Sequence, residues 1–184
     1  MKLRIIAGNL KGRFITVRAT AQRFRPTLER HRESVLQVLT PYLQGACAAD
    51  LCAGSGVVGF EMLSRGAASV DFVESDRARA RGIREHAEAF GVTDRCRVHC
   101  MPLARFVRDC RQRYDVVYYD PPYGDDRLAQ MAGGIFVLLC AGGILAYEHA
   151  RERPSPALDT EAALARHDTR TYGIATIDFY EKAG

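Results

Sequence analysis

The sequence predicts an α/β domain, a mostly parallel sheet with helices on both faces, preceded by a basic β-hairpin and one helix. Three observations carry this. From residue 46 onward, short apolar segments alternate with longer amphipathic ones, the texture of repeated strand–helix–strand units. A glycine turn, Gly54-Ser55-Gly56-Val57-Val58-Gly59, falls between the first of these strands and its helix. Residues 1–32 hold nine of the 26 Lys/Arg and only one of the 22 Asp/Glu, so the start of the chain has a different charge character from the rest. With 184 residues there is material for one core and hardly two. The expected organisation is a single domain, 1–184, made of a hairpin extension (1–26), a helix (27–45) and an α/β core (46–184).

The elements follow in order. Residues 3–7 and 13–17 are rich in β-branched side chains, and Gly8-Asn9-Leu10-Lys11-Gly12 supplies the turn between them. After Arg25-Pro26, Thr27 can cap a helix with Glu29 in its first turn. Val35, Leu36, Val38, Leu39 and Tyr42 give that helix its apolar stripe, and Pro41 and Gly45 are expected to end it. Strands are then expected over 46–51, 69–73, 96–100, 115–119 and 143–148. The helices between them should cover 57–65, 76–90, 103–113 and 128–140, the last weakened by Gly133-Gly134. Residues 163–169 and 175–180 alternate like a closing antiparallel pair, with Tyr172-Gly173 at the turn. Residues 151–160, with Pro154 and Pro156, read as a surface loop.

Composition excludes several classes of protein. No apolar run approaches the ~20 residues of a membrane span, and the N-terminal apolar segment is too short for a signal peptide. The expected location is the cytoplasm. The six cysteines lack a Cys-x-x-Cys pair, and the five histidines do not bracket them at zinc-finger spacing. Cys52, Cys100 and Cys140 lie in apolar stretches and read as buried free thiols. The first 32 residues carry a net charge of +8 and the remainder −4. A basic arm on a mildly acidic body points to a polyanion. Lys2, Arg4, Lys11, Arg13, Arg25 and Arg30 are the candidate nucleic-acid contacts.

The glycine turn begins at the end of a strand, in Asp50-Leu51-Cys52-Ala53-Gly54-Ser55-Gly56. Its glycines let a ligand approach the backbone and aim a helix N-terminus at it. Alone it fits a nicotinamide dinucleotide enzyme as well as a methyltransferase using S-adenosylmethionine. Two acids separate these. Asp50, ahead of the glycines, would repel a pyrophosphate but suits the ammonium of a methionine moiety. Glu74 ends the second strand 20 residues beyond Gly54, where an acid bonds ribose hydroxyls. The candidate cofactor residues are Asp50, Cys52, Ala53, Gly54, Ser55, Gly56, Gly59, Glu74, Ser75, Met101 and Asp120. His99, alternating with apolar neighbours, reads as structural.

The tetrapeptide Asp120-Pro121-Pro122-Tyr123 closes the fourth strand. The prolines stiffen it, and each keeps the preceding residue extended. A carboxylate, a carbonyl and a flat ring are thereby held at the crevice where open α/β sheets bind ligands. Asp120 and the Pro121 carbonyl can accept the two N–H bonds of a nucleobase amine, and Tyr123 can stack on a base drawn out of its helix. No metal is required by this chemistry.

At this point the chain resembles the bacterial 16S ribosomal RNA guanine-N2 methyltransferases of the RsmD type. The likeness rests on Arg4-Ile5-Ile6-Ala7-Gly8, Gly12-Arg13, Arg25-Pro26-Thr27, Arg30 and Arg32-Glu33. It continues through the 50–56 loop with Gly59, Glu61 and Leu63-Ser64-Arg65-Gly66-Ala67, then Val73-Glu74-Ser75-Asp76, Asp120-Pro121-Pro122-Tyr123 and Tyr172-Gly173. It implies a class I methyltransferase, Rossmann-like fold with a seven-stranded sheet. It also implies methyl transfer from S-adenosylmethionine to a guanine N2 amine, with 16S rRNA or an assembling 30S subunit as partner; separately, the chain is expected to act as a monomer. Met101-Pro102 departs from the family, which has a small polar residue and Ala there. Val35-Leu36-Gln37 stands where Phe-Asn is usual. The alternatives are an amine methyltransferase on DNA adenine N6 or on tRNA, a nicotinamide-dependent oxidoreductase, and a non-catalytic RNA-binding protein.

Overall fold

A computed structural model describes residues 1–17, 28–122, 124–152 and 164–184. Arg25, Thr27, Tyr123 and the expected 153–160 part of the loop lie outside the described residues. The hairpin strands β1 (Lys2–Arg4) and β2 (Phe14–Thr16) pair antiparallel as a separate two-stranded sheet. Helix α1 (Leu28–Leu43) follows, then β3 (Cys47–Leu51), α2 (Val57–Ser64), β4 (Ser69–Glu74), α3 (Arg77–Phe90) and β5 (Cys96–Cys100). Next come α4 (Leu103–Asp109), β6 (Tyr114–Tyr119), α5 (Asp126–Gln130), α6 (Ala132–Ile135), β7 (Leu139–Ala150), β8 (Leu164–Tyr172) and β9 (Ala175–Lys182).

The large sheet has seven strands in the order β5-β4-β3-β6-β7-β9-β8. Strands β3 to β7 are parallel, and β9 enters antiparallel between β7 and β8. The chain winds outward from β3 through β4 to β5, then returns to place β6 on the other side of β3. The direction of winding therefore reverses between β3 and β6. That point opens a crevice at the carboxyl ends of both strands.

Alternation along the strands divides the core into two layers. Ala48, Phe72, Val116, Tyr118 and Ala146 face α1, α2 and α3. Leu51, Val73, Val117, Tyr119 and Tyr147 face α4, α5 and α6. Near-continuous apolar strands such as Val116–Tyr119 are what a sheet covered on both faces requires.

Three elements differ from the sequence reading. Helix α1 runs through Pro41 to Leu43. Proline removes one helical donor, but Leu39 and Leu43 are completely buried, and their burial holds the last turn in place. Helix α4 stops at Asp109: Leu103 and Phe106 enter the core and Val107 and Cys110 pack against it, whereas Arg111–Arg113 are exposed and have no core to enter. The expected 128–140 helix breaks into α5, α6 and a 3-10 turn, and its end becomes the start of β7. Two adjacent glycines give this stretch little helical preference, while pairing of Leu139 with Tyr114 draws its end into the sheet. The cysteines also differ: Cys100 is exposed, and the other five are partly buried free thiols.

The hairpin is fastened to α2. Leu3 and Ile15 turn inward, while Lys2, Arg4, Phe14 and Thr16 lie on the outer face. The Ile6 N–H donates to Glu61 Oε1 at 2.7 Å, and the Leu10 N–H to Ser64 Oγ at 2.8 Å. Ser64 in turn donates to the Ala7 carbonyl at 2.5 Å, and its own carbonyl accepts from Asn9. Gly8 has φ +78°, and a Cβ there would sit 1.8 Å from the Ser64 carbonyl oxygen, so only glycine allows this approach. Arg32 of α1 joins from the other side, donating to the Arg4 carbonyl at 2.7 Å. The guanidinium groups of Arg32 and Arg65 lie 3.5 and 3.6 Å from the fully buried Glu61 carboxylate.

Candidate active site

Strand β3 delivers Asp50 to the crevice, and the glycine loop follows. Cys52 takes a left-handed conformation, φ 61°, the single non-glycine residue to do so among those described. A strained residue of this kind marks a turn that surrounding contacts impose. The Ala53 N–H bonds the Val73 carbonyl at 3.0 Å and the Gly56 N–H the Ala53 carbonyl at 2.7 Å, which close the loop over β4. Gly59 serves packing: a Cβ there would lie 2.2 Å from the Phe72 ring. Gly54 is open, with nothing nearer than 3.9 Å to an added Cβ, so a ligand can approach its backbone.

Glu74 stands where the sequence placed it, at the carboxyl end of β4. Its two oxygens accept from the Gly54 and Asp76 N–H groups, each at 2.8 Å, which fixes the carboxylate at the loop's edge. Asp76 caps α3 through the Arg79 N–H. Ser75 is exposed beside it, and Met101 lies partly buried at the end of β5 against the α4 layer. Ser55 accepts from the Val57 N–H at 3.4 Å. His99 has a structural role, bonding Asp71 at 3.2 Å with its ring against Phe106.

Asp50 Oδ2 accepts from the Gly59 N–H at 2.9 Å, so the carboxylate ties β3 to the first turn of α2. Burial pushes its carboxyl up to about 8, the Gly59 bond opposing this and the Glu74 charge adding to it. The unfolded chain releases this proton near pH ~4. Between those values the folded protein holds a proton that the unfolded chain lacks, so stability falls as pH rises. Asp50→Asn keeps the acceptor and cannot ionise. Its melting temperature should exceed that of the wild type at pH 8.5, by about 2–4 °C for each kcal/mol relieved. The gap should close as pH falls toward 4; thermal denaturation across this range tests it, and a gap that widens toward acid contradicts it.

Asp120, half-buried, follows β6 immediately, and its backbone N–H reaches the Leu51 carbonyl at 3.5 Å. The Asp-Pro-Pro segment and the glycine loop thus leave neighbouring strands side by side. The Pro122 carbonyl accepts from Asp125, whose side chain caps α5. Among the described residues no backbone N–H is bonded to the Pro121 carbonyl. Burial holds the Asp120 carboxyl well above the usual range, and the charges of Glu148 and then Asp50 add to this.

Sequence reasoning missed Glu148 and the tyrosine that holds it. Tyr118 donates to Glu148 Oε2 at 2.8 Å, and Glu148 is 9% exposed. A lone acid near the end of an apolar strand (Gly143–Glu148) was the available signal. On the other face, Tyr119, Tyr147 and His149 stack at centroid spacings of 5.4 and 5.1 Å, and His149 bonds Asp178 at 3.1 Å. The cleft there, between Pro121-Pro122 and His149, offers about 10 Å³, the room of one water rather than a base. A hollow of about 320 Å³ between α3 and β5 lies away from both loops.

Of the candidate nucleic-acid residues, Lys2, Arg4, Lys11, Arg13 and Arg30 are exposed. Arg13 is engaged with α3: its guanidinium lies 5.8 Å from the Phe90 ring centroid and 3.4 Å from the Ala89 carbonyl.

The sheet order, the reversed last strands and the paired loops at the switch point define a class I methyltransferase fold. The chain belongs to the family described as "Conserved hypothetical protein 95", which matches residues 3–181 and holds the RsmD-type methyltransferases. It is 29% identical over 187 residues to "Putative rRNA methyltransferase YlbH" of Bacillus subtilis, covering 99% of this chain and 100% of that protein. It is 33% identical over 125 residues to the ribosomal RNA small subunit methyltransferase D of Haemophilus influenzae, covering 66% of this chain and 64% of that protein. Among solved structures, "putative methylase HI0767" of Haemophilus influenzae superposes with a TM-score of 0.82 at 26% identity, over all of both chains.

Proposed function

We propose that this chain transfers a methyl group from S-adenosylmethionine to the exocyclic N2 amine of a guanine in 16S ribosomal RNA. The observation that carries the reading is the juxtaposition of two loops at one switch point: the glycine loop with Asp50 and Glu74, and Asp120-Pro121-Pro122 one strand away. The names of the relatives supply the substrate class, ribosomal RNA of the small subunit.

The residues present suit the cofactor. Gly54 leaves the backbone approachable, Glu74 is fixed where ribose hydroxyls need an acceptor, and Asp50, protonated near neutral pH in the free protein, offers a carboxyl that a bound ammonium would hold ionised. When bound, S-adenosylmethionine supplies an electrophilic methyl group on a sulfonium. The chain's own residues then have three tasks. Asp120 and the Pro121 carbonyl accept the two N–H bonds of the amine, which turns the nitrogen lone pair, otherwise delocalised into the ring, toward the methyl. The acids around Asp120 favour the positive charge that grows on nitrogen as its new bond to carbon forms. Asp120, its proton affinity raised by burial in the free protein, is held ionised by the amine's N–H donors and the cationic cofactor, and as a carboxylate it takes the proton that the methylated amine releases. Tyr123, outside the described residues, is assigned to stacking on the base. Lys2, Arg4, Lys11, Arg25 and Arg30 are assigned to RNA, and Arg13 to holding the hairpin on α3. The partner is the rRNA or the assembling 30S subunit in the cytoplasm, and the chain acts as a monomer.

The test uses S-adenosylmethionine labelled in its methyl group. The protein is incubated with naked 16S rRNA and with partly assembled 30S particles, and the RNA is digested to nucleosides. The expected label is in N2-methylguanosine. Label in N6-methyladenosine, or in no RNA nucleoside, overturns the reading.

A further inference from the structure

We propose that Glu148 selects guanine over adenine, its carboxylate accepting the N1–H of the base whose N2 amine lies at Asp120. This rests on the guanine-N2 reading above.

The sheet register places the two acids together. Tyr118 pairs with Ala146 and Tyr119 with Tyr147 in parallel strands, so Asp120 and Glu148 come next. Each lies two residues beyond a partner on the α1 side of the sheet, and therefore on that same side. Asp50, paired with Tyr118, shares it. The Tyr118 hydroxyl at 2.8 Å fixes where the Glu148 carboxylate sits, and its charge reaches Asp120. It also reaches His31 of α1, whose ring packs on Tyr172 at 4.3 Å between centroids. The opposite face of the Asp-Pro-Pro loop is lined by Tyr147 and His149, which leave about 10 Å³ beside the prolines. A base that reaches the Pro121 carbonyl is therefore directed to the side where the two carboxylates are.

The chemistry of the base edge gives this pairing its meaning. In guanine the exocyclic amine is flanked by N1–H, a donor. In adenine both ring nitrogens nearest the amine are acceptors. A carboxylate beside the amine's own acceptors therefore bonds guanine and opposes the lone pair of adenine N1. The Glu148 charge disfavours ionisation of Asp120; the adjacent N1–H and N2–H donors of guanine, one to each carboxylate, relieve that. A site built to hydrogen-bond one donor rejects the analogue lacking it far more strongly than a merely apolar pocket does.

The decisive probe is 2-aminopurine, which keeps the C2 amine but has an unprotonated N1. After the methylated position has been mapped, the same rRNA is prepared with guanine or 2-aminopurine there and assembled into the same particle. We expect wild-type kcat/KM to favour guanine by roughly 10- to 100-fold. Glu148→Gln, whose amide can also donate to an unprotonated N1, should narrow that ratio at least about tenfold while leaving S-adenosylmethionine affinity within about threefold. Glu148→Ala, with no group to read N1, should narrow it too. A ratio unchanged in both variants, or equal losses on both bases, overturns the proposal and leaves Glu148 as a support for Tyr118 and Asp120. Failure of the wild type to form N2-methylguanosine at all would sink the parent reading instead, and the same assay shows it.

Discussion

Asp120→Ala should lower methyl transfer to rRNA by about three orders of magnitude or more, because it removes both an orienting acceptor and the charge facing the developing cation. Affinity for S-adenosylmethionine should stay within about threefold. The link between β6 and β3 survives the substitution, since it runs from the Asp120 backbone N–H to the Leu51 carbonyl. Single-turnover rates with labelled cofactor, beside equilibrium dialysis, separate the two quantities. Asp120→Asn sharpens the result. Asparagine retains an oxygen acceptor but takes no proton, so a loss of only about tenfold assigns Asp120 chiefly to orientation. A loss matching that of alanine assigns it to proton acceptance as well. Equal loss of cofactor binding in either variant would place Asp120 in the cofactor site instead.

Glu61→Ala should destabilise the protein by about 3–5 kcal/mol, because it strands Arg32 and Arg65 in the interior without their counter-charge. Burial already pushes the Glu61 carboxyl upward, and the Ile6 N–H and the two arginines counteract this. The Nε atoms of both arginines and Glu61 Oε2 are buried without a hydrogen bond among the described residues, so no surplus of partners is available to absorb the loss. Urea denaturation reads the global effect. Hydrogen exchange should show its largest gain at Ile6 and Leu10, whose N–H groups bond α2. A change of less than about 1 kcal/mol would mean the arginines find solvent by a small rearrangement.

The fold was legible wherever one local signal dominated. Cys96–Cys100 begins and ends where the sequence puts it, and α3 starts at the Asp76 cap and stops at Gly91. The errors lie where tertiary contacts outweigh local preference, as at Pro41 held by buried Leu39 and Leu43, or Leu139 recruited into β7. In the site, the two loops are visible in sequence because they are short and contiguous. Glu148 was not, since its meaning depends on Tyr118, 30 residues earlier, and on a register that no local pattern encodes. The basic arm shows the opposite case. Its composition is plain, but charge alone cannot tell Arg4, on the hairpin's outer face, from Arg13, resting on Phe90.

The hairpin's seat on α2 also has a consequence for the order of events during synthesis. The groups that receive it, Glu61 and Ser64, lie 54 to 57 residues further along the chain. At about 5–20 residues per second, the first strands leave the ribosome several seconds before their anchor does. During that interval the two-stranded ribbon has no partner surface, and isolated hairpins are marginal in water. The hairpin is therefore made before α2 but structured after it, and its basic side chains reach their folded arrangement only once α2 has formed.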